Sequence, residues 1–142
     1  MHTENEAYIV RTQRSFNRQP AMHALNAELV VKSPGSVEIT FPYMAQFTQQ
    51  NDYMHAGILS TILDSACGYA ALSIAPEDAD VLTVEFKVNL LRPGVGDTFK
   101  AIGQVVKAGK TISVADATLY SSTLGESKPV ATMTATIMNV YK

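Results

Sequence analysis

Three residues in this chain have types and spacing that could do chemistry: His55, Gly57 and Asp64. Asp64 is the only formally charged side chain between Tyr53 and Pro76, in a stretch otherwise made of Ala, Leu, Ile and small polar residues. Desolvating an unpaired carboxylate is costly, so such a residue persists where it has a task. Two tasks fit. In one, Asp64 bonds a neighbouring backbone segment or reaches a rim of solvent. In the other it is a general base or nucleophile in an apolar cleft. His55 and Gly57 favour the second. The start of a helix presents unpaired backbone N–H groups, and a small residue there lets a substrate oxygen approach them, as stabilisation of an oxyanion requires. His55 taken alone fits a structural role as well as a catalytic one.

The element that must position these residues runs from Gly57 to Ile74. It is about 18 residues without proline, enough for a helix of roughly 27 Å. At 100° per residue, Ile58, Leu59, Ile62, Leu63, Ala66, Cys67, Tyr69, Ala70 and Ile74 share one broad apolar face. The opposite arc is Ser60, Thr61, Asp64, Ser65, Gly68 and Ala71, small or weakly polar where a solvated face would carry Lys and Glu. The helix is therefore expected to be enclosed on nearly all sides.

Composition sets the outer bounds. A length of 142 residues suits one domain, 1–142, with a single core and an N-terminal helical extension over 1–21. A net charge of −2 offers no footprint for nucleic acid. The single cysteine, Cys67, excludes an intrachain disulfide framework and points to a reducing compartment; between Ala66 and Gly68 it reads as a packing residue. The first 20 residues lack the apolar run of a signal peptide, and Ser60, Thr61 and Asp64 interrupt the best candidate for a membrane span. A soluble, cytoplasmic protein with no membrane partner is expected.

In chain order, residues 4–17 place Tyr8, Ile9, Thr12 and Phe16 at helical spacing with Arg11, Arg14 and Arg18 around them, and Pro20 closes this short helix. Leu25, Ala27, Leu29 and Val31 then alternate into a strand. The turn Ser33-Pro34-Gly35-Ser36 joins it to a second strand holding Val37, Ile39 and Phe41. Residues 42–54 form a loop, polar from Thr48 to Asp52, that is a candidate wall of the site. After the helix, Leu82, Val84, Phe86, Val88 and Leu90 alternate with Thr83, Glu85, Lys87 and Asn89, which predicts a strand with one face on the helix and one in water. Strands follow at 98–107, 111–122 and 130–140. Ala115, Ala117, Ala131 and Ala135 are inward candidates small enough to let the helix lie close to the sheet. Six strands with one long helix inserted after the second make an α+β hotdog fold, an antiparallel sheet curved around a central helix.

These residues resemble the PaaI-like acyl-CoA thioesterases of the hotdog superfamily over about residues 22–140. The family motif reads His-Gly-Gly with an Asp nine positions after the His, and His55 to Asp64 has that spacing. The Gln or Asn six positions before the His falls on Gln49, and the Ser or Thr ten positions before the strand-end proline falls on Thr83, ahead of Pro93. Ala56 departs from the first Gly of the motif, but the role implied there is a backbone N–H, which alanine also has.

The resemblance implies hydrolysis of an acyl-CoA thioester. Asp64 activates a water or attacks directly, and Thr83 holds the water. Gln49 and the Ala56 N–H polarise the carbonyl and take up the oxyanion, with His55 orienting the loop and Gly57 the small residue at the helix mouth. It implies a homodimer with a shared site, a tetramer being common, and neither cofactor nor metal. Arg92, Lys107 and Lys110 are candidates for the CoA phosphates, and each also fits an ordinary solvated charge. Other readings stay open. A hotdog dehydratase would share the His and carboxylate, although its His-Phe-Pro-Gly is absent. An acyl-CoA-binding sensor would need a DNA-binding domain, for which the roughly 20 residues before the first strand leave no room. A scaffold would have no use for a buried Asp64.

Overall fold

A computed structural model describes residues 4–141; residues 1–3, the start of the expected N-terminal extension, lie outside the described residues. Helix α1 (Glu4–Asn17) forms as its spacing predicts, burying Thr12 and Phe16. Pro20 does more than close it. It opens a second, short helix α2 (Pro20–Ala24), since its fixed φ and missing N–H suit a first helical turn. Asn26 then takes a left-handed φ of 52°, which delays the strand expected from Leu25 until Glu28. There follow β1 (Glu28–Ser33), β2 (Ser36–Pro42), a 3₁₀ turn (Ala45–Phe47), α3 (Ala56–Ile74), β3 (Ala79–Leu90), β4 (Thr98–Lys107), β5 (Ile112–Ser121) and β6 (Ala131–Tyr141). The strands form one antiparallel sheet in the order β1-β2-β4-β5-β6-β3, with α3 across one face. This is the hotdog arrangement.

The helix lies close because the strands beneath it are nearly bare. Ala101, Ala115, Ala117, Ala131 and Ala135 are all buried there. At Gly103 of β4 a Cβ would stand 2.4 Å from the backbone oxygen of Ala66. The obstacle is helix backbone, which has no rotamer to escape into, so Gly103→Ala is expected to cost at least about 2 kcal/mol by overpacking. A denaturant midpoint equal to that of wild type would refute this close approach.

Ile62, Leu63, Ala66, Cys67 and Ala70 of α3 are fully buried. The Cys67 thiol lies 3.6 Å from the carbonyl of Ala115, and burial pushes it up to about 12, with Asp64 and Asp116 adding to the shift. A thiol so rarely ionised packs and does not react. By length and a mean hydropathy of 1.3, α3 would suit a membrane span, and 61% of that stretch is buried within the fold. The expected enclosure holds only in part. Ser65 and Ala71 are buried, but Gly57, Ser60, Thr61, Asp64 and Gly68 make an open strip along the helix. Arg11 of α1 ties down the far end, its Nη2 donating to the carbonyls of Leu72 at 2.6 Å and Ala75 at 2.8 Å. A cation on the last carbonyls satisfies acceptors that the helix itself leaves open.

Strand β3 departs from its simple alternation. The register against β6 slips between Thr83 and Glu85, leaving Val84 as an extra residue. Before the bulge, Val81 and Thr83 stand opposite Asn139 and Ile137; after it, Phe86, Val88 and Leu90 stand opposite Ala135, Met133 and Ala131. Those five β6 partners are buried on the helix side, so the bulge moves Thr83 onto the face that α3 covers and leaves Leu82 on the other. The expected separation into an apolar helix face and a wet face fails for a second reason. β3 is an edge strand, and Leu82, Val84, Phe86 and Leu90 each expose between 45% and 59% of their surface.

Candidate active site

The bulge in β3 makes the central contact of the site. With Thr83 turned toward the helix, its Oγ1 donates to Oδ1 of Asp64 at 2.7 Å. The Asp64 carboxylate is half-buried, and among the described residues no cation forms an ion pair with it. Its second oxygen has no hydrogen bond among the described residues, and Asp64 lines a cavity of about 560 Å³ whose walls include Gly68, Tyr69, Val81 and Thr83. A carboxylate with one oxygen held by a hydroxyl and the other open is arranged to take a proton from a bound water.

At the start of α3, His55 is the N-cap, and its Nδ1 accepts the Gly57 N–H at 2.8 Å. The proton of the neutral ring is then on Nε2. This bond removes Gly57 from the oxyanion donors: its N–H is already used, and its bare Cα leaves room for the imidazole, since a Cβ would approach Nδ1 to 3.1 Å. The Ala56 N–H makes no hydrogen bond among the described residues. His55 N–H donates to the Phe47 carbonyl at 2.9 Å, which fastens the 42–54 loop to the head of the helix.

That loop delivers Gln49. A bridge between Thr48 and Met54 closes a tight turn in which Gln49 N–H donates to the Tyr53 carbonyl at 2.8 Å. The Gln49 Oε1 accepts the Asn51 N–H at 2.5 Å and the Tyr53 N–H at 3.4 Å. Its Nε2 has no hydrogen-bond partner among the described residues and is left as a donor. Gln49 and Ala56 together line a second cavity of about 340 Å³, bounded also by Leu90, Leu91 and Arg92.

The expected site residues therefore fall into two groups, Asp64 with Thr83 and Gln49 with Ala56. Ala56 and Asp64 stand eight positions apart on α3, about 12 Å along the axis, too far for one thioester carbonyl to meet both. The candidate phosphate partners are divided as well. Arg92, whose Nη1 donates to the Pro129 carbonyl at 2.7 Å, stands beyond the end of β3. Lys107 and Lys110 stand at the hairpin near its start, where Ala79 pairs with Tyr141. They do not form one anion site.

A model of the thioesterase superfamily matches residues 51–128, more than half of the chain. The chain belongs to that superfamily. It is 50% identical to a thioesterase family protein of Silicibacter pomeroyi, with a TM-score of 0.91 over 95% of this chain and 99% of that one. The PaaI protein of Escherichia coli, from the phenylacetic acid degradation operon, has the same fold at 22% identity and a TM-score of 0.86, over 97% of this chain and 96% of that one. The medium/long-chain acyl-CoA thioesterase YigI of E. coli is 26% identical over 98 residues, 60% of this chain and 61% of YigI. The first curated relatives are matched over 58% to 65% of their own length, so the chain spans less than two thirds of each.

The superfamily match takes in His55, Ala56, Asp64 and Thr83 and begins two residues after Gln49. It does not reach α1 or α2, yet Ser15, Arg18, Gln19 and Pro20 wall the Asp64 cavity. Ser65 Oγ donates to Gln19 Oε1 at 3.4 Å across it. The Tyr69 ring packs edge-on against Phe16 at 5.4 Å, and burial raises the pKa of its hydroxyl, an effect that Ser15 opposes. Reading residue by residue along the sequence missed this wall. The signal present was the spacing of Arg11 and Arg14 on α1 with Arg18 one residue beyond its end.

Proposed function

We propose that this chain hydrolyses an acyl-CoA thioester as a homodimer, each site built from both subunits. The reading rests on the placement of the two residue groups along one apolar edge strand, paired on one side only among the described residues. Thr83, bonded to Asp64, lies in the first half of β3, and the Gln49 and Ala56 cavity abuts Leu90 and Leu91 at its end. Pairing β3 with its symmetry mate, antiparallel about an axis between Phe86 and Lys87, covers the exposed Leu82, Val84, Phe86 and Leu90 and removes an open sheet edge. The same operation sets Thr83 opposite Leu90 of the partner subunit, and so brings Gln49 and Ala56 of the partner subunit to Asp64.

In such a site a water lies between the free oxygen of Asp64 and the Thr83 hydroxyl, whose proton is spent on Asp64 but whose lone pairs still accept. The water oxygen attacks the thioester carbonyl as its proton passes to Asp64. The carbonyl oxygen becomes an oxyanion held by the Ala56 N–H and Gln49 Nε2 of the partner subunit. Collapse breaks the C–S bond, and the departing thiolate takes the proton from Asp64, giving the free acid and CoA. Direct attack by Asp64 would instead pass through an anhydride. The name of YigI supports acyl-CoA as the substrate class. A panel of acyl-CoA thioesters from acetyl to palmitoyl, with aryl and hydroxyaryl members, read by release of free thiol, tests the reading. Turnover of at least one member is expected, and no release from any would reject it.

A further inference from the structure

The Asp64 cavity does not end at the helix. It adjoins a second cavity, of about 370 Å³, and the two share Ser15, Arg18, Leu72 and Asp80 as common walls. Three arginines of the α1 segment border this continuous groove, and they differ in how they are used. Arg11 is committed to the carbonyls at the end of α3. The guanidinium groups of Arg14 and Arg18 are exposed and have no hydrogen bond or ion pair among the described residues. Glu77 and Asp80 face them from the far wall. Asp80 uses its Oδ1 to accept the Val81 N–H at 2.9 Å and forms no ion pair with Arg18. Arg18 alone of the three borders both cavities, so it stands between the catalytic carboxylate and the outer groove.

We propose that Arg18, supported by Arg14, binds an anionic group carried by the thioester substrate, either a phosphate of CoA or a carboxylate at the distal end of the acyl group. This rests on the thioesterase reading above. A guanidinium presents a planar fork of donors that fits either anion through two bonds, and Arg18 is free to use it. The segment that carries it lies before residue 51, outside the part of the chain that the superfamily match covers.

The test compares Arg18→Gln with wild type on four thioesters: a neutral and a carboxylate-ended acyl group of equal length, each on CoA and on pantetheine, which lacks the phosphates. Arg18→Gln is expected to raise KM on the order of tenfold wherever the bound anion is present. A rise on both CoA thioesters and neither pantetheine thioester assigns a phosphate. A rise only with the carboxylate-ended pair assigns the acyl carboxylate. Arg18→Lys, which keeps the charge without the fork, should recover part of the loss, and the melting temperature of both variants should match wild type because the guanidinium has no partner among the described residues. Unchanged KM on all four substrates overturns the proposal. If wild type turns over none of them, the thioesterase reading falls instead. Calorimetric titration of CoA and of a carboxylate-ended thioether analogue into wild type and Arg18→Gln then decides the anion site separately, and equal affinities for both ligands overturn it.

Discussion

Asp64→Asn is expected to lower turnover by a factor on the order of 10² to 10⁴ while leaving the fold intact. The amide oxygen of Asn can still accept the Thr83 hydroxyl that Asp64 Oδ1 accepts at 2.7 Å, so the β3 bulge and the helix keep their contact. What disappears is the free oxygen as a proton acceptor, or as a nucleophile if Asp64 attacks directly. Stability should be equal or higher, because a half-buried carboxylate without a cation partner is replaced by a neutral group of the same shape. Two measurements separate the roles. More than about a tenth of wild-type turnover would reject Asp64 as the base or nucleophile. A clear fall in melting temperature with turnover retained would make it a structural carboxylate that anchors β3 to α3.

The largest gain of activity is expected from mixing two dead proteins. Gln49→Glu suits the second lesion, because its carboxylate still accepts the Asn51 and Tyr53 N–H groups that hold the loop. It removes the Nε2 donor and sets a negative charge where an oxyanion would form. In a site shared across a dimer, Asp64→Asn and Gln49→Glu homodimers are both inactive. A mixed dimer has one site with both lesions and one with neither. Equal amounts refolded together give about half the dimers mixed, each with one working site of two, so about a quarter of wild-type activity returns under random pairing. A site built within one chain predicts no recovery. Mixtures no more active than the sum of the two parents, with subunit exchange verified by mass, would sink the cross-subunit mechanism and the edge-to-edge pairing of β3 with it.

The local rules were legible in the sequence because they act over a few residues. The proline-free run from Gly57 to Ile74 and its period marked the central helix, which begins one residue earlier with His55 as its cap. The alternation of Ala115, Ala117, Ala131 and Ala135 marked the surface on which that helix rests. Asp64 stood out by being the one charge in its stretch. Tertiary structure decided what depends on pairing between distant segments. Thr83 lies on the polar side of an unbroken alternation, and only the slip against β6 at Val84 turns it toward Asp64, because a one-residue change of register exchanges the two faces of a strand. The edge position of β3 follows from the order of the sheet, which no single strand encodes. The use of the Gly57 N–H by His55 needed the turn geometry at the helix start. The division of Asp64 and Thr83 from Gln49 and Ala56 needed the rise of the helix between them. The role of α1 was hidden for a similar reason. Arg11, Arg14 and Arg18 look equivalent along the sequence, and only the docking of α1 on α3 commits the first to the helix end and leaves the other two facing the groove.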